Sequence, residues 1–179
     1  HGLSIPDILP ADRPPPRDGN WLLKPIRGSG GWQIRKWIGM PHDACDSSPL
    51  SPRNVYFQRW IPGDSLSALF LVSPARAERR PGIRFISVSE QILEPGTCRF
   101  AGAITPVEIP SAAIEQVELA LRAVADTSRL AGLIGVDFIF DGATVWPLEI
   151  NPRYTASVEV VELSRQVSLL KWHRAACEG

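Results

Sequence analysis

The stretch Leu148-Glu149-Ile150-Asn151-Pro152-Arg153 places a carboxylate, an amide and a guanidinium at alternate positions, shortly after the apolar run 135–140. Side chains two positions apart on an extended chain point to the same face. Glu149, Asn151 and Arg153 are therefore expected to converge on one point. A carboxylate, an amide and a guanidinium at one point are the groups expected of a site that binds a metal ion and a phosphate.

The residues around this stretch predict a β-hairpin. Asp141-Gly142 is a turn signal between two strand-like runs within residues 134–150. The apolar residues of both runs are even-numbered, so they share a face only if the loop holds an odd number of residues, most simply three. The same register places Asp137 on the opposite face, beside Glu149 and Asn151. The apolar face comprises Val136, Phe138, Phe140, Trp146, Leu148 and Ile150.

The acidic face has a chemistry of its own. Asp137, Glu149 and Asn151 offer two carboxylates and an amide oxygen, which suit a hard cation. Mg²⁺ is such an ion, since it keeps several bound waters and bridges phosphates, and Mn²⁺ is an alternative. The planar fork of Arg153 can clamp phosphate or carboxylate oxygens. The competing interpretation is an ordinary polar strand face exposed to water.

Three further segments give the chain a resemblance to the ATP-grasp superfamily. Trp21-Leu22-Leu23-Lys24-Pro25 resembles that family's strand with a phosphate-binding lysine, and residues 27–32 resemble its glycine-rich loop. Residues 56–63 resemble the linker that lines its adenine pocket, and residues 137–153 resemble its metal-binding strands. The resemblance covers nearly the whole chain from Ile5 onward.

The resemblance implies an ATP site. Lys24 would neutralise phosphate oxygens, and the backbone N–H groups of the loop would close over them. Gln58 would meet the amino edge of adenine, while Arg59 and Ile61 would supply backbone hydrogen bonds. Taken alone, the loop also fits a simple flexible turn. The loop residues are Gly28, Ser29, Gly30 and Gly31.

Recognition of the ribose and of the second substrate is less defined by the resemblance. Asp64 is a ribose candidate by position, and Ser65 and Ser67 are alternatives. Tyr154, Thr155 and Ser157 can contact the acyl substrate, although Ser157 also suits a helix cap. Arg99 can face the site or form a surface ion pair.

The segment Glu-Ile-Asn-Pro-Arg-Tyr-Thr-Ala-Ser at residues 149–157 is most similar to a branch of carboxylate–amine ligases. This branch includes the pyrrolysine-pathway ligase and tyramine–glutamate ligase. The similarity implies ATP- and Mg²⁺-dependent formation of an acyl phosphate, then an amide, from a small carboxylate and an amine. Lys24 and Arg153 would stabilise the transferred charge. Two alternatives remain: a carboxylase-type enzyme that phosphorylates bicarbonate, and a non-catalytic ATP-binding module.

Composition excludes some other classes of protein. The 179 residues contain 19 basic and 19 acidic side chains, so the net charge of zero gives no sign of a nucleic-acid or membrane partner. The three cysteines lack a Cys-x-x-Cys pair, and the three histidines are scattered, which argues against zinc and favours a reduced, cytoplasmic setting. A homo-oligomer is left open.

Residues 1–19 contain five prolines and are expected to form an extended connector, with residues 20–179 as the ATP-grasp domain. We expect an α+β fold of antiparallel sheets with packed helices. Because the chain begins at His1, it is expected to be a carboxy-terminal piece of a larger protein and to lack the amino-terminal α/β domain of the family. The alternative is a naturally short chain.

The remaining elements are predicted from apolar spacing and turn signals. Residues 21–26 and 32–38 are predicted strands, and residues 40–53 a surface loop. A helix capped by Ser111 is expected to reach about Leu130. A second helix is expected to begin near Ser157, with its hydroxyl as the cap, and to continue towards Trp172.

Overall fold

The computed structural model describes residues 2–39, 54–75 and 80–178. The predicted loop 40–53 lies outside these residues. The sequence also predicts a charged hairpin tip at residues 75–81, and most of that segment lies outside them as well. The elements, in chain order, are β1 Ile8–Pro10, β2 Trp21–Pro25, β3 Arg35–Lys36, β4 Val55–Arg59, β5 Asp64–Ser73, β6 Gly82–Leu93, β7 Phe100–Ile104, α1 Ser111–Ala125, β8 Gly132–Phe140, β9 Val145–Asn151, α2 Ala156–Arg165 and α3 Leu169–Glu178.

The chain divides into two compact units. The four-stranded unit consists, among the described residues, of 6–39, 54–62 and 93–101. The five-stranded unit consists of residues 2–5, 63–75, 80–92 and 102–178. Their sheets have the strand orders β1-β4-β2-β3 and β7-β6-β5-β8-β9.

In the four-stranded unit, alternation along the strands buries one face of the sheet. Leu23 and Phe57 lie opposite each other on β2 and β4 and are almost fully buried. The ring of Trp37 packs edge-on against Phe57 at 4.8 Å between centroids, and its indole N–H donates to the Pro15 carbonyl at 2.9 Å. The proline-rich segment therefore covers this core, and it also supplies the edge strand β1, the position in a sheet that tolerates proline.

Two helical layers cover the five-stranded sheet. Helix α1 packs against the even-numbered residues of β5 and β8, including Phe70 and Phe138. Helices α2 and α3 pack against the opposite face around Leu69 and Leu133. Polar residues continue that second face along the strands, which is where the acidic side chains lie.

Two predicted elements have different bounds in the structure. The predicted strand 32–38 is reduced to β3, because Gln33 adopts a left-handed conformation with φ of 67°. Helix α1 ends at Ala125 instead of Leu130, since the N–H and hydroxyl of Thr127 both bond the Val124 carbonyl at 3.1 Å. Ser111 is the first helical residue of α1, and Pro110 occupies the cap position, so the predicted Ser111 cap is wrong.

The predicted second helix is two helices. Gln166 takes the left-handed conformation at φ 53° and ψ 41°, which terminates α2. The Glu162 carboxylate then accepts the backbone N–H groups of Leu169 and Leu170, which begin α3. At the other end, the cap position of α2 is Thr155 instead of Ser157, and no side-chain hydrogen bond caps the helix.

Candidate functional site

The register of β8 and β9 brings the predicted acidic residues together. Asp137 lies directly opposite Glu149, and Gly135 lies opposite Asn151. Opposed residues of an antiparallel pair point to the same face. The predicted juxtaposition of Asp137, Glu149 and Asn151 is therefore confirmed for the strands.

The hairpin reaches this register by a different route from the one predicted. Its loop holds four residues, 141–144, so the three-residue loop is wrong. A bulge at Leu148 restores the register, because Phe138 opposes Pro147 while Asp137 opposes Glu149.

Between the loop and the bulge, the residues of β9 point to the opposite faces from those predicted. Val145, and not Trp146, packs into the core against α1. The Trp146 indole N–H donates to Asp141 Oδ2 at 2.8 Å instead. The placement of Trp146 on the apolar face was therefore wrong, and Leu148, the bulged residue, is only half-buried.

Hydrogen bonds tie the polar side chains into a chain. Asn151 Nδ2 donates to Asp137 Oδ2 at 3.0 Å, and Arg153 Nη2 donates to Asn151 Oδ1 at 3.0 Å. The backbone N–H of Arg153 also bonds the Asn151 carbonyl at 2.9 Å. Asn151 is 5% exposed, whereas Glu149 is exposed. The amide thus holds a carboxylate on one side and a guanidinium on the other.

Two neighbouring strands contribute residues that the sequence did not assign to this cluster. Gln91 of β6 donates from Nε2 to Asp137 Oδ1 at 3.2 Å, and Ser65 of β5 donates to Gln91 Oε1 at 2.9 Å. Ser67 of β5 lies directly opposite Asp137 and hydrogen-bonds its carboxylate. The available signal was the alternation of Ser87 and Ser89 with Ile86 and Val88, which marks a polar face on β6 that Gln91 continues.

The surroundings of Asp137 disfavour its charged form. Burial raises the pKa of Asp137, and the nearby negative charge of Glu149 raises it further. The hydrogen bonds from Ser67 and Asn151 and the charge of Arg153 oppose this rise without cancelling it. A divalent cation beside Asp137 would relieve the cost of the buried charge, so the residues present fit such an ion.

A cation at this position would need the amide as a ligand. Among the residues that the structure describes, no three or more His, Cys, Asp or Glu side chains are grouped as for a metal ion. The protein ligands available here are the carboxylates of Asp137 and Glu149 and the Oδ1 atom of Asn151. Three oxygen ligands completed by water or phosphate are typical of Mg²⁺, but not of a closed structural zinc site.

The predicted ribose candidates fall on different faces of the sheet. Asp64 alternates with Ser65 along β5, so it shares the face of Leu66, which packs with α1. Ser65 and Ser67 share the face of Asp137. The structure therefore brings the two serines, and not Asp64, to the acidic cluster.

Residues just after the cluster are fixed to helix α2. The Tyr154 hydroxyl donates to Glu162 Oε2 at 2.9 Å, and burial together with this carboxylate raises the pKa of Tyr154 to about 12. Thr155 and Ser157 share a hydrogen bond of 3.0 Å between their hydroxyl oxygens. These contacts tie the segment that follows Arg153 to α2.

The four-stranded unit holds the residues assigned to the nucleotide. Lys24 and Gln58 project from the same face of β2 and β4, and Lys24 Nζ donates to Gln58 Oε1 at 2.9 Å. Gln58 is 3% exposed, so its amide is held away from bulk water. Arg59 ends β4, where its N–H bonds the Asp7 carbonyl at 2.8 Å, and Ile61 follows two residues later.

The glycine-rich loop is anchored within the same unit. Gly30 and Gly31 have φ of 62° and 73°, and the Gly30 carbonyl accepts the Phe100 N–H at 3.0 Å. A Cβ atom at Gly31 would lie 1.7 Å from the Cys98 carbonyl oxygen. Glycine is therefore required at position 31 both by the conformation and by the close approach of the two backbones.

Arg99 lies beside this loop. Its guanidinium stacks 3.6 Å from the centroid of the Trp32 ring and pairs with Glu94 at 3.0 Å. The predicted ion pair of Arg99 is thus confirmed, and it adds a cation–π contact to the loop.

Comparison with known protein families matches residues 1–157 to the model of the ATP-grasp domain. The chain belongs to the ATP-grasp family. Membership agrees with the two antiparallel sheets and packed helices, and the predicted ATP-grasp fold is confirmed. No helix in the described part of this ATP-grasp chain has the length and apolar character needed to cross a membrane.

Individual relatives cover the chain well but are much longer than it is. An uncharacterized protein from Methanocaldococcus jannaschii is 29% identical over 149 residues, which are 83% of this chain and 34% of that protein. A putative ATP-grasp superfamily protein from Archaeoglobus fulgidus is 28% identical with a TM-score of 0.64, covering 93% of this chain and 46% of that one.

A further solved structure shows the same fold at lower identity. It is the biotin carboxylase domain of the Hydrogenobacter thermophilus 2-oxoglutarate carboxylase, in complex with MgADP, ADP and bicarbonate. Its TM-score is 0.66 at 17% identity, and the match covers 89% of this chain and 37% of that one. This ATP-grasp chain spans less than half the length of each of the three relatives.

Proposed function

We propose that the chain forms the catalytic part of an ATP- and Mg²⁺-dependent ligase that joins a carboxylate to an amine. The observation that carries the proposal is the hydrogen-bonded series Asp137, Asn151 and Arg153, with Glu149 directly opposite Asp137. Membership of the ATP-grasp family and the similarity of residues 149–157 to carboxylate–amine ligases support it.

In this proposal Asp137, Glu149 and Asn151 hold Mg²⁺. The ion supplies neutralising positive charge to the phosphate oxygens when it is bound. Asn151 Oδ1 has two lone pairs, so it can face the ion while it accepts from Arg153. The Arg153 guanidinium is placed to hold phosphate or carboxylate oxygens next to this ligand set.

For the four-stranded unit, we assign nucleotide binding to its polar face and its glycine-rich loop. The Lys24 ammonium would stabilise negative charge on the phosphates, and Gln58 would orient the lysine and recognise the adenine edge. The backbone of Arg59 and Ile61 would complete adenine recognition. The loop residues Gly28, Ser29, Gly30 and Gly31 would donate N–H groups to phosphate oxygens.

The reaction proceeds in two transfers without a protein nucleophile. An oxygen of the substrate carboxylate attacks the γ-phosphorus of ATP, the bond to the β,γ-bridging oxygen breaks, and ADP leaves from an acyl phosphate. The amine nitrogen then attacks the acyl carbon, and inorganic phosphate leaves as the amide forms and a proton is released. Lys24 and Arg153 stabilise the charge that moves during the first transfer.

The experiment that tests this function follows the acyl phosphate in the complete protein. Hydroxylamine should trap a hydroxamate when ATP, Mg²⁺ and the correct small carboxylate are present, and ADP release should rise when an amine is added. ADP release that requires bicarbonate and no organic carboxylate would instead establish the carboxylase-type activity. Tight ATP binding without any ADP release across the substrate panel would favour a non-catalytic module.

The substrates expected from this function are small molecules.

ATP as a co-substrate and the free thiols of Cys98 and Cys177 suit a reducing compartment, so we place the activity in the cytoplasm. Fractionation of cells that express the complete protein tests that placement.

A further inference from the structure

The side chain of Gln91 crosses one whole strand to reach Asp137. Gln91 lies on β6 and Asp137 on β8, and β5 runs between them. Neighbouring strands lie about 4.8 Å apart, so the two residues project from strands separated by roughly 10 Å. A long side chain is needed to close that gap with a hydrogen bond, and Gln91 Nε2 lies 3.2 Å from Asp137 Oδ1.

Small residues on β5 make this crossing feasible. Leu66 pairs with Glu90, so Ser65 stands opposite Gln91, and Ser67 stands opposite Asp137. Both serines project from the face over which the Gln91 side chain lies. Branched or aromatic side chains at these two positions would occupy that path.

The orientation of the Gln91 amide is set by its partners. Ser65 Oγ donates to Gln91 Oε1 at 2.9 Å, which turns Nε2 towards Asp137. Asn151 Nδ2 occupies the other carboxylate oxygen at 3.0 Å. Each Asp137 oxygen therefore has one amide donor, and Ser67 supplies a further hydrogen bond to the carboxylate. The lone pair that remains can face a cation.

We propose that Gln91 is a positioning residue, which together with Ser65 holds the Asp137 carboxylate in the orientation that binds the divalent cation. The inference rests on the proposed function, because it assigns Asp137 to the metal. In this role Gln91 does not contact the nucleotide. It changes the affinity for the metal by orienting the Asp137 carboxylate. Residues that orient a metal ligand typically change metal affinity by 10- to 100-fold when they are replaced.

The test separates metal affinity from nucleotide affinity in the complete protein. Gln91→Met keeps the length of the side chain and removes both hydrogen bonds, and Ser65→Ala removes only the donor that orients the amide. Ser87→Ala is the matched control, because Ser87 lies on β6 and bonds Thr105 instead. Mn²⁺ affinity is measured by electron paramagnetic resonance with a non-hydrolysable ATP analogue, and analogue binding is measured separately with all metal chelated.

We expect Gln91→Met to weaken Mn²⁺ binding about tenfold, with metal-free binding of the analogue unchanged within about twofold. Ser65→Ala should give a smaller loss in the same direction, and Ser87→Ala should give none. Ser65→Ala also carries the test if Gln91→Met fails to fold, as judged by thermal unfolding without metal.

Two results overturn the inference while leaving the proposed function intact. The first is wild-type Mn²⁺ affinity in the variants, and the second is an equal loss of metal-free analogue binding, which would place Gln91 on the nucleotide. Failure of the wild-type protein to bind Mn²⁺ with the analogue would overturn the proposed metal site itself, and the inference with it.

Discussion

Asn151 and Asp137 are joined by a hydrogen bond of 3.0 Å from the amide nitrogen of one to the carboxylate of the other, across the β8–β9 pair. The bond exists because the bulge at Leu148 brings odd-numbered residues of both strands onto one face. The amide oxygen of Asn151 accepts a hydrogen bond from Arg153, so Asn151 joins the carboxylate on β8 to the guanidinium that follows β9.

Replacement of Glu149 should separate catalysis from folding. Glu149 is exposed, so Glu149→Gln should change the free energy of unfolding by no more than about 0.5 kcal/mol. If Glu149 binds the metal as proposed, its loss should lower ATP-dependent turnover by on the order of 100-fold. Initial rates of ADP release and urea unfolding measure the two effects.

Glu90→Gln is the control, since Glu90 is exposed and opposes Leu66 on the other face of the same sheet. An unchanged rate in Glu149→Gln, or an equal loss in Glu90→Gln, would contradict the assignment of Glu149.

The raised pKa of Asp137 predicts a pH-dependent cost of folding in the absence of metal. The folded chain holds the Asp137 proton more tightly than the unfolded chain, whose pKa is near 3.8. The free energy of unfolding should therefore fall as the pH rises from about 4 to the folded-state pKa. Asp137→Asn removes this dependence, so the variant should gain stability relative to the wild type across that range.

The measurement is urea unfolding at several pH values in a metal chelator. Comparing slopes against pH cancels any constant effect of the substitution on hydrogen bonding. A difference between the two proteins that stays constant with pH would show that Asp137 has an ordinary pKa. Saturating Mg²⁺ should restore the stability of the wild type where Asp137 is charged and leave the variant unaffected.

Gly31 and Gly96 provide a matched pair for the anchoring of the glycine-rich loop. Their φ values are nearly equal, at 73° and 74°, but a Cβ atom at Gly31 would meet the Cys98 carbonyl whereas one at Gly96 would meet nothing within 4 Å. Gly96→Ala should cost about 1 kcal/mol for the left-handed conformation alone. Gly31→Ala should cost at least about 2 kcal/mol more, because backbone must move away from backbone. Equal losses in chemical denaturation would contradict the close approach.

Gln166 offers a stabilising substitution. It is an exposed non-glycine residue at φ 53°, where it ends α2. Gln166→Gly should raise the free energy of unfolding by about 0.5–1 kcal/mol, while Gln166→Ala, which keeps the Cβ atom, should not. Thermal unfolding of the two variants distinguishes these outcomes, and destabilisation by glycine would show that the position is helical in solution.

The acidic face could be predicted from the sequence because alternation in a strand is a local property. Asp137 opposes Glu149 as the apolar pattern required, although both the loop length and the outer half of β9 differ from the prediction. The four-residue loop forms because Asp141 Oδ1 accepts the N–H groups of Ala143 and Thr144, at 3.0 and 2.7 Å. A side chain that competes with the backbone in this way is not visible in an apolar pattern.

Residues that act across several strands could not be predicted. Gln91 joins the cluster only because β6 and β5 pair in one particular register, and no local pattern in the sequence fixes that register. The break between α2 and α3 also depends on a contact between residues that are not adjacent in the sequence. The carboxylate of Glu162, in α2, accepts the backbone N–H groups of Leu169 and Leu170, with which α3 begins. Apolar spacing continues through both helices, which is why a single helix was predicted.

The most direct test of the central claim is calorimetric binding of a non-hydrolysable ATP analogue to the complete protein, with and without Mg²⁺. The wild type should bind in a Mg²⁺-dependent manner. Glu149→Gln should lose the Mg²⁺ dependence, and Lys24→Ala should lose affinity for the analogue in either condition. Binding by Glu149→Gln that still responds to Mg²⁺ as the wild type does would contradict the assignment of the acidic cluster as the metal site.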